Sequence, residues 1–308
     1  MPEYSVAIWQ NAGLEVAERI LGLGDRKTNS AVSGCYDRMY WKYRLIDYPS
    51  GWFQSAAEYL ALLYSTPGSA FSGQAQLRQW AIQAYDFTLS IQNRDGSIAE
   101  VYPYERSFCA TAFVAVHLFS LCRLIGHRPD AGLKKMAQFL QGHRGERLGN
   151  QLAAAALAEL YAYEAFKEKE FLEDARKKLQ ILYDSQSQEG YFYEYGGLDI
   201  GYLSITLSLL ARLDEQFKGE LDLQRIKKAL FALQGRVRED GTYEYRTMSR
   251  RTQFLYPFGL AYFESPVLER LQKGIAAGRV IKPSWLDDRY VSSLAIDYLH
   301  TARKEKNK

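Results

Sequence analysis

Apolar residues return at three- and four-residue intervals through most of the chain, the period of a helix that buries one stripe. The stretches YSVAIWQNAGLEVAERILGL, GWFQSAAEYLALLY, GQAQLRQWAIQAYDFTLSIQ and SFCATAFVAVHLFSLCRLIG each predict a helix, as do AGLKKMAQFLQG, NQLAAAALAELYAYEAF, EFLEDARKKLQILYDSQ and DIGYLSITLSLLARL. LDLQRIKKALFALQG, TQFLYPFGLAYFES, VLERLQKGI and DDRYVSSLAIDYLHTARK complete the set, and no stretch is long and alternating enough to organise a sheet.

The predicted helices alternate in character. One set carries Lys, Arg, Glu and Gln along one face, whereas the other, typified by NQLAAAALAELYAYEAF, is apolar nearly all round. A helix apolar on every side must be surrounded by protein, and an amphipathic one faces water. Outer and inner helices in strict alternation describe an all-α, (α/α)6-type toroid of about six helical hairpins, one domain over residues 1–308 with a disordered tail at 303–308. The apolar set begins near Gly51, Ser107, Asn150, Asp199, Thr252 and Asp287, at the roughly 35–55-residue interval of helical-pair repeats.

A second repeat lies in the connections. QNRDGSIAEVY, QSQEGYFYEYG and REDGTYEYR each run from an acidic residue through Gly to alternating rings and a glutamate, Glu100, Glu194 or Glu244. The acid-Gly step supplies a turn and the alternation predicts short β-hairpin-like loops. The spacing of Gln186, Gly190 and Phe192, and more loosely of Gln92, Gly96 and Ile98, resembles the repeat of squalene cyclases and protein prenyltransferases. It is equally similar to the turn in six-hairpin glycosidases and in the helical toroid of polysaccharide lyases. The resemblance is architectural and implies a toroid with its site in the central funnel.

Composition narrows the chemistry. With 47% hydrophobic and 24% charged residues the chain is expected to be a soluble globular protein, and a net charge of +3 gives no nucleic-acid footprint. Three cysteines without CxxC spacing, and scattered histidines, point to reduced thiols and to no metal site. The N-terminus has no basic n-region or apolar h-region, and no uncharged apolar run approaches the ~18–20 residues of a membrane span, so a cytoplasmic protein is expected. P-loop, dinucleotide and G-x-S-x-G fingerprints are absent, and no cofactor is expected. The 23 tyrosines suit either a ring-packed interior or a wet cavity.

In a toroid the outer-to-inner connections share one face. Here they are long, charged and ring-rich (GCYDRMYWKYRLIDYPS, NRDGSIAEVYPYERS, GHRGERLGN, SQEGYFYEYGGLD, REDGTYEYRTMSRR, GRVIKPSWLDDRY), whereas STPGSAFS, IGHRPD and DEQFKGE are terse. Tyr-acid-Arg patterns recur there, as an ion-pair girdle between hairpins or as a ligand mouth. Asp37, Arg38, Tyr40, Trp41, Glu100, Tyr104, Arg106, Tyr193, Arg250, Arg251, Trp285, Arg289 and Tyr290 are the candidate binding residues. Glu194, Asp199, Glu105, Asp288 and Tyr202 are the candidate catalytic ones, with Asp199, Ser107 and Ser249 also placed as helix N-caps.

Tyrosine faces for sugar rings, guanidiniums for acidic substituents and two carboxylates for acid–base work together give the leading expectation. This is a carbohydrate-active, glycosidase-like enzyme on a saccharide or oligosaccharide, with hydrolase, lyase and epimerase open. The alternatives are an isoprenoid-handling toroid, whose rings would line a dry well and stabilise cations, and a non-catalytic glycan- or peptide-binding toroid. Against the isoprenoid reading, SWLDDRY lacks the first Asp of the class II cyclase Asp-x-Asp-Asp motif, and the zinc set of the prenyltransferases is not evident.

Overall fold

The computed structural model describes residues 2–143 and 148–308. In chain order the helices are α1 Pro2–Leu14, α2 Ala17–Leu23, α3 Arg38–Trp41, α4 Ala56–Ser65, α5 Ala75–Ser90, α6 Phe108–Ile125 and α7 Ala131–Gln141. They continue with α8 Gly149–Phe166, α9 Lys169–Asp184, α10 Ile200–Gln216, α11 Leu223–Gln234, α12 Phe258–Tyr262, α13 Val267–Ala276 and α14 Val291–Lys306. The inner helices form a closed ring, each packed on the next: α4, α6, α8, α10, α12, α14 and back to α4. Outside it α5 backs α4, α7 backs α6, α9 backs α8, α11 backs α10, α13 backs α12 and α1 backs α14. The all-α toroid expected from alternation is the observed fold. Among the described residues the hairpin-like loops reduce to isolated bridges, Ile98 with Ser107, Gln186 with Phe192 and Glu194 with Gly197.

Three expectations change. The first predicted helix breaks at Glu15–Val16 into α1 and α2. TQFLYPFGLAYFES is helical only over Phe258–Tyr262, because Pro257 lacks an N–H and helices start, rather than continue, at such a residue. The tail is ordered to Lys306: Ala302 is buried, and Arg303 donates to Ser65 Oγ at 2.6 Å. α6 is, by length and composition alone, apolar enough to cross a membrane, yet as a member of the inner ring 83% of it is buried in protein.

The repeated Gln and Gly now have a mechanical meaning. Gln92 Nε2 donates to the Gly132 carbonyl at 3.1 Å and Gln186 Nε2 to the Arg225 carbonyl at 2.8 Å, so each ties its loop to the next outer helix, α7 or α11. Gly96 (φ +93°) and Gly190 (φ +94°) press against the same helices, where an added Cβ would fall 2.3 Å from the Lys135 oxygen and 2.7 Å from the Lys228 oxygen. The contact recurs at Gly34 on α5 and at Gly241 on α13. Gly96→Ala combines a left-handed φ with this collision and is expected to cost about 2 kcal/mol or more in urea unfolding. Gly68→Ala, also at positive φ but with nothing within 4 Å, is the control and should cost less. Equal losses would refute the packing role of Gly96.

Two buried clusters join charges of opposite sign across helices. Lys178 of α9, fully buried, reaches Glu159 of α8 at 2.6 Å and also pairs with Asp174. On the toroid axis Glu58 of α4 accepts from His117 (2.5 Å) and Ser120 of α6, Arg212 of α10 (2.8 Å) and His300 of α14 (2.8 Å). One carboxylate thus joins four inner helices.

Candidate functional site

The segments preceding the inner helices gather over one hollow of about 780 Å³. Its wall is a connected set of rings. Trp52 lies 5.2 Å from Phe113 and 6.2 Å from Tyr290, and Phe254 lies 6.1 Å from Tyr290 and 6.0 Å from Tyr256. Tyr195 meets Tyr202 edge-on at 5.9 Å. On the far side of Phe113, Ile205, Tyr256 and Ser293 lies a separate small cavity of about 20 Å³, lined also by Arg212 and Asp297. Asp297 is fully buried, accepts from the Phe258 N–H at 2.7 Å, and burial pushes its carboxyl up to about 7.

Of the residues singled out in the sequence, Glu100, Tyr202, Arg250, Arg251, Trp285, Arg289 and Tyr290 do line the hollow. Glu194 sits directly behind the wall, fully buried. Its Oε1 accepts from the Asn150 N–H at 2.8 Å and from Thr206 Oγ1 at 3.3 Å, while Oε2 is buried with no partner among the described residues. Asn150 and Tyr195, on either side of it, are both wall residues. A two-residue turn holds it there: Tyr195 (φ +51°) and Gly196 (φ +84°) connect Glu194 and Gly197, which exchange both backbone hydrogen bonds. Burial pushes the Glu194 carboxyl up to about 8, with Asp199 adding to the rise, and the donors from Asn150 and Thr206 do not offset it. Burial thus favours the protonated form, and with both donors on Oε1 such a proton belongs on Oε2.

The other candidates serve the scaffold. Asp199 caps α10 through the Tyr202 N–H (3.0 Å), and its second oxygen accepts from Arg250 N and Thr252 N, both at 3.1 Å. Both its oxygens are therefore engaged by backbone, leaving no base for a bond beside Glu194. Ser107 caps α6 as expected, but Ser249 is no cap and donates instead to the Glu194 carbonyl at 2.5 Å. Glu105 Oε2 gathers the N–H groups of Glu100, Val101 and Tyr102 within its own loop, and Asp288 pairs with Arg19 of α2 at 2.7 Å. Asp37 is fully buried, capping α3 and bonding the Ser50 N–H at 2.9 Å. Arg38 lies over Tyr43, Trp41 donates to the Leu23 carbonyl at 2.8 Å, and Tyr40 belongs to the same short helix. Tyr104 is 90% exposed, Arg106 pairs with Asp95 of its own loop, and Tyr193 packs edge-on against Tyr191. None of these lines the hollow. Burial raises the Tyr202 phenol further from ionisation, which removes it as a proton-abstracting base. Between hairpins, the girdle is realised at the mouth by Arg289 with Glu100, at 2.7 Å. The Arg144–Arg147 part of the mouth loop GHRGERLGN lies outside the described residues.

Sequence reasoning missed Trp52, Phe113, Asn150, Phe254 and Tyr256. Cys109 and Phe113, four apart on α6, mark one helix face toward the hollow, but on a helix apolar all round that face carries no polar boundary to reveal it.

No family profile and no curated protein sequence matches the chain. Solved structures do. A variant of the type II terpene cyclase MstE from Scytonema, with its substrate geranylgeranyl dihydroxybenzoate, superposes with a TM-score of 0.58 at 11% identity, covering 98% of each chain. Another MstE variant, with the product merosterolic acid A, gives 0.57 at 12% identity over 97% of this chain and 99% of that one. A protein from Actinoplanes gives 0.52 at 12% identity, over 98% and 100%. These neighbours overturn the carbohydrate-active, glycosidase-like expectation: prenyl substrate and product, not saccharides, occupy the MstE structures. A small-molecule ligand remains in keeping with them, an oligosaccharide does not, and the six-hairpin glycosidase resemblance is not supported. What the chain shares with the type II terpene cyclases, along nearly its whole length, is the squalene-cyclase-like helical toroid.

Proposed function

We propose that this protein is an isoprenoid cyclase that folds a prenyl chain into its central hollow and starts ring closure by protonation, with Glu194 as the acid. One observation carries the reading: a cavity with eight aromatic side chains in its wall has a fully buried carboxyl, with one oxygen unpartnered among the described residues, immediately behind that wall. Glu194 does not itself line the hollow, so the reading requires the Tyr195–Gly196 turn to give way to the prenyl terminus; Oε2–H then passes its proton to a terminal alkene carbon, leaving the carboxylate and a tertiary cation. The next double bond donates its π electrons to that cation, closing a ring and moving the charge inward. Loss of a proton to water ends the sequence and solvent reprotonates Glu194, so the product is an isomer of the substrate. Faces such as Trp52, Phe113 and Tyr290 attract cations without offering a lone pair that would trap them. The missing Asp-x-Asp-Asp motif fits a different acid, set by a tight turn rather than by that motif.

Incubation with geranylgeranyl dihydroxybenzoate in D₂O tests this. A cyclised product of unchanged composition carrying one non-exchangeable deuterium is expected by mass spectrometry. Recovery of unaltered substrate across a panel of prenylated acids, alcohols and diphosphates would refute the cyclase reading. Products lacking deuterium would refute protonation as the first step.

A further inference from the structure

Resting on the cyclase reading, we propose that the mouth of the hollow binds an anionic head group, a carboxylate or phosphate at the end of the prenyl chain, through the guanidiniums of Arg250 and Arg251. Both line the hollow, and among the described residues neither has a carboxylate within ion-pair distance. Arg250 instead lies over the Tyr195 ring at 4.1 Å and 5.9 Å from that of Tyr202. Stacking uses the face of a guanidinium; part of the Arg250 edge meets the Tyr202 hydroxyl, and its remaining N–H groups are left for a planar or tetrahedral anion.

The backbone presents this pair deliberately. Asp199 Oδ2 holds the N–H groups of Arg250 and Thr252, so Arg251 stands between two anchored neighbours at a left-handed φ of +55°. A non-glycine residue keeps such a conformation where its surroundings enforce it. Across the mouth, Arg289 pairs with Glu100 while its Nε is buried without a partner. The carboxylates of the wall are engaged: Glu100 by Arg289 and Ser107, and Asp287 by the N–H groups of Arg289 and Tyr290. With Arg289 and Glu100 paired, Arg250 and Arg251 face the single carboxylate of Asp287, and this excess of positive charge beside the rings of the well matches an amphiphile with an apolar tail and a negative head.

Binding is measured by quenching of Trp52 and Trp285, both in the wall, on Glu194→Gln protein that lacks the proposed proton donor. The probes are geranylgeranoic acid, geranylgeranyl diphosphate and the neutral geranylgeraniol, and the same titration on wild-type protein guards against a folding defect in the variant. At least one anion is expected to bind about 10- to 100-fold tighter than the alcohol. That advantage should fall to parity when R250M and R251M are added, and the anion showing it identifies the head group. Equal affinities for all three probes, or an advantage that survives the double substitution, overturn the head-group assignment and leave cyclisation standing. Failure of every probe to bind overturns both.

Discussion

Glu194→Gln is expected to lower the rate of prenyl cyclisation by on the order of 10³-fold while the protein stays folded, because general-acid catalysis contributes roughly that much. Glutamine keeps the shape and neutrality of the protonated carboxyl, and its carbonyl can still accept from the Asn150 N–H and the Thr206 hydroxyl that now hold Oε1. It has no proton acidic enough for an alkene. The pH profile supplies the second readout. Since burial raises the Glu194 pKa from 4.5 to about 8, the acid holds its proton before catalysis below that point, and turnover should fall as pH rises through it. Stability follows the same sign. A raised folded-state pKa means that the native state binds more protons than the unfolded chain between 4.5 and about 8, so this contribution is complete below 4.5 and lost as pH rises through about 8. The variant should lack that alkaline decline. A Glu194→Gln protein that cyclises at the wild-type rate removes Glu194 from the mechanism, whatever else remains of the cavity.

The toroid was legible because its constraints are local and repeated. Gln92 and Gly96, then Gln186 and Gly190, meet the same need at each step, a loop tied to and pressed against the next outer helix, and the spacing survives as a pattern. The chemistry was not legible in that way. Asp199 and Glu194 are five residues apart in one loop, yet one is consumed by backbone donors and the other isolated with a free oxygen. That difference is set by where the Arg250–Thr252 segment and Asn150 arrive from distant parts of the chain. The Tyr-acid-Arg patterns misled for a related reason. Glu105 and Asp288 found partners outside the hollow, in their own loop and on α2, because loop curvature rather than composition decides which side chain faces inward. Tyrosine content suggested a sugar-binding surface, whereas at the site tyrosines pack with Trp52, Phe113 and Phe254 into one connected aromatic part of the wall.

The largest loss of stability is expected at Glu58, which no sequence motif distinguishes. Glu58→Ala removes the acceptor shared by His117, Ser120, Arg212 and His300 and leaves the Arg212 guanidinium, 7% exposed, buried without that partner. Breaking one side of a buried ion pair costs about 3–5 kcal/mol, which should appear as a lower urea midpoint at unchanged m-value. Burial alone would raise the Glu58 pKa, but Arg212 and the two histidines outweigh it and hold the group well below the usual carboxylate range. Its contribution is therefore present above the unfolded value near 4.5 and disappears only in stronger acid. His300 sets an earlier limit. Burial lowers its pKa from 6.5 to about 4, so it stays neutral in the native state while the unfolded chain takes up a proton below 6.5. Stability should decline as pH falls from 6.5 toward 4, and the difference between wild type and His300→Gln should be flat above pH 7 and slope only in that interval. Urea midpoints at pH 4.5, 5.5 and 7.5 decide it. A difference independent of pH would mean that His300 titrates alike in both states, and a Glu58→Ala loss below about 1 kcal/mol would mean that the four helices are held by apolar packing alone.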